Sequence, residues 1–164
     1  MAHEDLALDI GGTTAKCSLI ENGEVKPEPI RGTPKPFVRQ DGGYLDLIAH
    51  PDYAQNGWLY LAFSDPQEKA DGAKVSLTKI VRGKLKDGAF IDQQTIFQGK
   101  PEHYIKAGGV HFGGRLVFDG KGHLFFPIGD RGTGPNAQNL GVVMGKVHRL
   151  NDDGTVPAGS TMPY

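Results

Sequence analysis

A β-hairpin with a glycine-rich approach is the segment that most constrains how this chain folds. It covers residues 108–132 and reads GGVHFGGRLVFDGKGHLFFPIGDRG. Two short apolar runs, Arg115–Phe118 and His123–Ile128, are separated by the sequence DGKG, whose aspartate and glycines are typical of a tight turn. The pattern predicts two antiparallel strands joined by that turn.

The two outer ends of this hairpin carry side chains capable of chemistry. His111 lies in the glycine-rich loop before the first strand, and Asp130 and Arg131 follow the second strand. Because the outer ends of a hairpin meet at one edge, we expect the three residues to share a rim. The alternatives are structural: a loop histidine without a role, an aspartate that caps its own turn, and an arginine in a surface ion pair.

The remainder of the chain also has strand character. The 24 glycines and 11 prolines fit a turn-rich protein, and no long stretch free of glycine and proline has helical periodicity. These patterns predict an all-β fold. Besides the hairpin, the predicted strands are Leu6–Ile10, Ala15–Glu21, Glu24–Lys26, Tyr44–His50, Trp58–Phe63, Lys74–Lys84, Thr95–Gln98 and Lys146–Leu150.

A proline-rich stretch and a weak repeat organise these strands. The sequence KPEPIRGTPKP favours extended backbone, so we predict an arm and linker over residues 1–35 and a second unit over residues 36–164. Within the second unit, residues 47–50 and 58–65 align with residues 116–119 and 123–130. Self-similar all-β segments are typical of propeller blades, and this unit has room for two.

Composition excludes several classes of function. A formal net charge of −1 gives no electrostatic case for nucleic acid. The single cysteine, Cys17, excludes an internal disulfide and a cysteine-based zinc site. No apolar run reaches the roughly 18 residues that a membrane span needs, and the start MAHEDLALDI lacks the features of a signal peptide. We therefore expect a cytoplasmic protein.

The first segment resembles one family. The stretch DIGGTTAKCSLIENGEV is similar to the phosphate-binding hairpin that opens the hydantoinase/oxoprolinase family of the actin-like ATPase fold. That resemblance assigns Asp9 to a metal and Gly11–Thr14 to nucleotide phosphates. The alternative is a β-hairpin arm without a nucleotide, attached to the propeller unit as part of a chimera.

The second unit resembles a different family. The pieces RQDGGYLDLIAHPDYAQNGWLYLAF, GVHFGGRLVFDGKGHLFFPIGDRG and GKVHRLNDDGTVPA look like the soluble aldose dehydrogenases that use pyrroloquinoline quinone (PQQ). The resemblance implies two blades of a six-bladed β-propeller, with His111 as general base and Asp130 as its support. It also implies a quinone contact from Gln40 and Asp41, although the amide is one residue early for the family pattern.

Two blades alone would leave apolar faces and open strand edges, which favours self-assembly. We expect a homo-oligomer, with a trimer as the simplest way to complete a ring. Symmetry would then gather copies of His111 into a catalytic zinc site, with calcium as the alternative metal and His148 and His103 as further candidate ligands. In that arrangement Asp130 orients the histidine, and Arg131 stabilises an anionic transition state.

Three functions follow from these expectations. The first is a metal-assisted hydrolase of activated esters or phosphate esters, which needs only one metal and one bound water. The second is a residual PQQ-dependent aldose dehydrogenase with His111 as the base. The third is a folded but inactive fragment. Because the segments that would hold a polyanionic quinone are missing, the sequence favours the hydrolase.

Overall fold

The computed structural model describes residues 4–10, 15–21, 23–106 and 109–160. Three antiparallel sheets account for nearly all of the regular structure in these residues. They contain the strands β1 (Glu4–Ile10), β2 (Ala15–Glu21), β3 (Glu24–Pro29), β4 (Tyr44–Ala49), β5 (Leu59–Glu68), β6 (Lys74–Lys86), β7 (Ala89–Phe97), β8 (Val117–Phe118), β9 (His123–Ile128) and β10 (Lys146–Asn151).

Helical structure is limited to short connections. One α-helical turn, α1 (Tyr53–Asn56), links β4 to β5, and 3₁₀ turns cover Pro101–His103 and Gly134–Gln138. In the part of the chain that the structure describes, no helix has the length and apolar character to cross a membrane. The all-β prediction is confirmed, and the short helices lie in segments whose sequence gave no periodic signal.

The first sheet, β1–β2–β3, occupies the N-terminal segment. Its third strand extends to Pro29, farther than the predicted Glu24–Lys26, and Pro29 is the residue opposite Ser18. Proline is tolerated because β3 is an edge strand, where a missing N–H leaves no partner unsatisfied. The turn Gly11–Thr14, to which phosphate binding was assigned, lies outside the described residues.

The four-stranded sheet β4–β5–β6–β7 is covered on both faces. Along β5, Tyr60 and Ala62 face one apolar cluster, whereas Leu59, Leu61 and Phe63 face the other. Burial on both faces explains why the sequence of β6 has no polar side. The sheet is therefore an internal layer, as expected of a propeller blade between neighbours.

The three-stranded sheet β8–β9–β10 packs against that blade through one face only. On the other face Val117 and Val147 are 54% and 69% exposed. The strands that align in the weak sequence repeat occupy equivalent places, since β4 pairs with β5 in one sheet and β8 with β9 in the next. The shared core contains Tyr60, Leu77, Ile80, Phe97, Leu124, Phe126, Ile128 and Leu150.

Candidate functional site: a histidine–aspartate rim between two blades

Two loops from neighbouring sheets interlock at the rim. Residues 39–43 precede β4, and residues 109–116 precede β8. Asp41 donates its backbone N–H to the Gly109 carbonyl at 2.7 Å, and Gly109 donates its own N–H to Oε1 of Gln40 at 2.8 Å. A Cβ at position 109 would collide with the carbonyl of Arg39, so only glycine allows this approach.

His111 lies in the second loop and pairs with Asp130. Its Nδ1 is 2.7 Å from Oδ1 of Asp130, which also accepts the Gly132 N–H at 2.9 Å. These hydrogen bonds, the one from His111 first, hold the pKa of Asp130 below its ordinary value of 3.8. An ionised carboxylate accepts the Nδ1 proton, so the neutral imidazole has an unprotonated Nε2.

This pair faces solvent. The side chain of His111 is 57% exposed and that of Asp130 is 29% exposed, which leaves Nε2 open to an incoming molecule. The backbone N–H of His111 is held separately, by Oδ2 of Asp41 at 3.1 Å. The histidine is therefore fixed from two sides, with one ring nitrogen available as a proton acceptor.

The backbone at the rim is conformationally strained. Gln40, His111 and Arg131 have φ angles of 52°, 55° and 59°, in the left-handed region that residues with a Cβ seldom adopt. A Cβ at Gly129 would collide with the carbonyl of His111, which shows how closely the loop after β9 approaches. Strained residues of this kind concentrate at functional sites.

Arg131 lies in a buried environment that the sequence did not indicate. Its side chain is fully buried, with the guanidinium 3.4 Å from the centre of the Phe112 ring. It donates to the Val110 carbonyl and, at 3.1 Å, to the hydroxyl of Ser76. Burial lowers the pKa of Arg131 to about 10, against the opposing charge of Asp41. A cation directed into the protein in this way does not reach the rim, where a transition-state role would require it.

Two further residues support the histidine loop from below. Asp46, 8% exposed in β4, accepts the Leu116 N–H at 2.7 Å, and Thr78 of β6 donates its hydroxyl to the Phe112 carbonyl at 2.6 Å. Sequence reasoning missed both. A signal was present for Asp46, because an acid within the apolar run YLDLIA requires a buried partner.

The other two candidate metal ligands lie apart from His111. His148 is 1% exposed, stacks on Phe126 and contacts the Val143 carbonyl through Nε2 at 2.8 Å. Burial lowers the pKa of His148, as expected for a core histidine that stays neutral. His103 is also buried, within its 3₁₀ turn. Across the described ranges, no three His, Cys, Asp or Glu side chains form a group that could hold a metal.

Comparison with known proteins identifies the family. The profile of the family described as Glucose / Sorbosone dehydrogenase matches residues 11–163. The chain is 39% identical over 131 residues to the Aldose sugar dehydrogenase YliI of Escherichia coli (strain K12), a match that covers 79% of this chain and 33% of that protein. The chain belongs to the glucose/sorbosone dehydrogenase family.

Solved structures agree on the fold. The apo form of the soluble aldose sugar dehydrogenase from Escherichia coli has a TM-score of 0.75 and 30% identity, over 97% of this chain and 50% of that chain. The PQQ-bound aldose sugar dehydrogenase from Streptomyces coelicolor has a TM-score of 0.75 at 22% identity, over 96% and 45%. The chain thus spans about a third of its curated relative and half of these β-propeller structures.

These matches correct the sequence-based functions. The prediction of a metal-assisted hydrolase is wrong, because the matched family and the Escherichia coli relative are described as sugar dehydrogenases. Zinc as the cofactor has no support in the matches or in the arrangement of the described residues. The hydantoinase resemblance and the chimera also lack support, since the family profile already begins at residue 11.

Proposed function

We propose that this chain contributes the proton-accepting part of a PQQ-dependent aldose dehydrogenase. The observation that carries the proposal is the 2.7 Å contact between His111 Nδ1 and Asp130 Oδ1, with the imidazole otherwise open to solvent. That contact fixes the tautomer in which Nε2 is the acceptor. Membership of the glucose/sorbosone dehydrogenase family supports an aldose as the substrate.

Oxidation of an aldose at its anomeric carbon releases one proton and one hydride equivalent. Nε2 of His111 takes the proton of the hydroxyl, and the negative charge of Asp130 stabilises the imidazolium that forms. The carbon–hydrogen bond breaks as the carbonyl of a lactone forms. When bound, PQQ would supply the acceptor for this hydride.

The described residues fit only part of a quinone site. Gln40 and Asp41 lie on the rim beside the histidine loop, where they can border a planar group. The amide oxygen of Gln40 is already used by Gly109, and Arg131 is directed inward. The guanidinium of Arg131 is therefore not available to the carboxylates of PQQ.

A His111→Gln variant tests the base. Dye reduction is measured in the presence of PQQ, calcium and an aldose. The rate of the variant should be about 10²- to 10⁴-fold lower than that of the unaltered chain, which is the usual contribution of a general base. His123→Gln is a matched control, because Nδ1 of His123 also lies 2.7 Å from an aspartate, Asp119, in the turn of the hairpin. Full activity in His111→Gln, or no sugar oxidation by the unaltered chain, would refute the proposal.

We also propose that the chain self-associates, with a trimer as the expected form. Support comes from the β8–β9–β10 sheet, which has three strands where its neighbour has four and exposes Val117 and Val147 on its free face. Such a face and the open edge of β10 favour association with another sheet.

A further inference from the structure

Arg131 contacts the residues on both sides of the candidate base. Its guanidinium donates to the carbonyl of Val110 and lies 3.4 Å from the ring centre of Phe112, and these two residues flank His111 in the chain. Arg131 also directly follows Asp130, the partner of that histidine. One side chain thus joins the loop after β9 to the loop before β8 at the position where the pair forms.

We infer that Arg131 is a positioning residue that sets the distance and orientation between His111 and Asp130. The inference rests on the proposed function, in which that pair acts as the base. The side chain of Arg131 is buried, so it does not reach the exposed face of the imidazole. It holds the loop that carries His111 in the position in which Nδ1 contacts the carboxylate of Asp130.

The setting of the guanidinium favours this role over simple core packing. A buried cation is costly unless its donors are used and its charge is balanced. Here the two terminal nitrogens donate to the Val110 carbonyl and the Ser76 hydroxyl, the Phe112 ring lies against the guanidinium, and the charge of Asp41 acts on the same group. Among the described residues Nε of Arg131 finds no hydrogen-bond partner, so part of the burial cost is left uncompensated. An apolar side chain would fill the space at less cost but would not fix the loop.

Backbone conformation gives a second reason. His111 and Arg131 both have φ near +60°, which a residue with a Cβ maintains only where its surroundings enforce it. The contacts of Arg131 with Val110 and Phe112 hold the segment on each side of His111. Without them, we expect the loop to relax towards ordinary φ values and to carry the imidazole away from Asp130.

The test compares three substitutions with a matched control. Arg131→Met keeps the volume but removes the hydrogen bonds, Arg131→Lys keeps a single charged donor, and Ser76→Ala removes only one bond. Arg82→Met is the control. Arg82 also stacks on an aromatic ring, 4.4 Å from Trp58, and donates to a backbone carbonyl, that of Asp152, but it does not contact the His111 loop.

The primary measurement is the Nδ1–H proton of His111, followed by ¹H–¹⁵N NMR of histidine-labelled protein. Loss of its hydrogen bond should make exchange of this proton about tenfold faster in Arg131→Met. The effect should be smaller in Arg131→Lys and smallest in Ser76→Ala. Arg82→Met should lower the melting temperature without changing the His111 signal.

Activity provides the second measurement. A misplaced base should lower kcat for an aldose about 100-fold in Arg131→Met, with KM unchanged, because the substrate does not contact Arg131. The NMR measurement needs neither quinone nor sugar. If the unaltered chain oxidises no sugar, the proposed function fails, while the positioning role is still judged by NMR.

Three results would overturn the positioning role. One is a His111 signal in Arg131→Met identical to that of the unaltered chain. Another is an equal change in Arg82→Met, which would mark a general loss of stability. If neither Arg131 variant folds, an unchanged exchange rate of the His111 Nδ1–H proton in Ser76→Ala would also overturn the positioning role.

Discussion

At the scale of single residues, the rim contains residues with positive φ angles next to the His111–Asp130 pair. Among the described residues, five that are not glycine have positive φ, and three of them, Gln40, His111 and Arg131, lie in the two interlocked loops and the loop after β9. No sequence pattern marks such residues, because their conformation results from loops that meet across about 70 positions of chain. The sequence predicted that His111 and Asp130 share a rim, and the structure places their side chains 2.7 Å apart, but no sequence signal indicated that the side chain of Arg131 is buried.

The pH dependence of the pair follows from Asp130. Its pKa in the folded protein lies below 3.8, so the carboxylate adds stability above that pH and loses it as the pH falls through the lower, folded value. His111→Ala removes the principal cause of the lowering, and the Gly132 N–H remains. Carboxyl ¹³C NMR should then show Asp130 titrating at a higher pH than in the unaltered chain. An unchanged titration would mean that the imidazole does not act on this carboxylate.

His148 gives the opposite kind of prediction, about stability at mildly acidic pH. Burial lowers the pKa of His148 in the folded state, so below about 6.5 the unfolded chain binds a proton that the folded chain does not. Stability should therefore decline as the pH falls from 7.5 to 5. In His148→Phe, which keeps a ring against Phe126, this part of the slope should disappear whatever the absolute stability. Denaturant titrations at several pH values measure it, and an identical slope in both proteins would refute it.

At the scale of elements, the local patterns predicted more than the long-range contacts. Apolar runs and the DGKG turn located β9 and the hairpin, because alternation and turn chemistry act over a few residues. The strands β5 and β7 extend beyond their predicted limits. The additional residues include polar ones without a strand signal of their own, and they are in strands because they pair with β6. The interlocking of the 39–43 and 109–116 loops depends on how blades stack, which a single sequence does not encode locally.

The link between β4 and the histidine loop should be measurable through Asp46. In Asp46→Ala the Leu116 N–H loses its acceptor in a buried position, which should cost about 1–3 kcal/mol of unfolding free energy. Asp71→Ala is the control, because Asp71 accepts the Ala73 N–H in an exposed turn. Hydrogen exchange should show faster exchange at Leu116 only in the first variant. Equal exchange in both would exclude Asp46 as the anchor of this loop.

At the scale of the whole molecule, the two blades differ in how they are covered. The β4–β7 blade is packed on both faces, whereas the β8–β10 sheet is packed on one. The chain spans about half of the family structures that it matches. Among the described residues, the exposed face of the β8–β10 sheet is therefore a surface at which another sheet could pack.

We expect this face to mediate self-association. Val117→Asp together with Val147→Asp places two charges on the free face, and burying them against another sheet would be unfavourable. The pair should shift the mass measured by sedimentation equilibrium from the expected trimer towards the single chain. Leu140→Asp is the control, because Leu140 is 71% exposed in a turn outside the sheet. If the unaltered chain is a compact monomer at micromolar concentration, the free face does not mediate self-association.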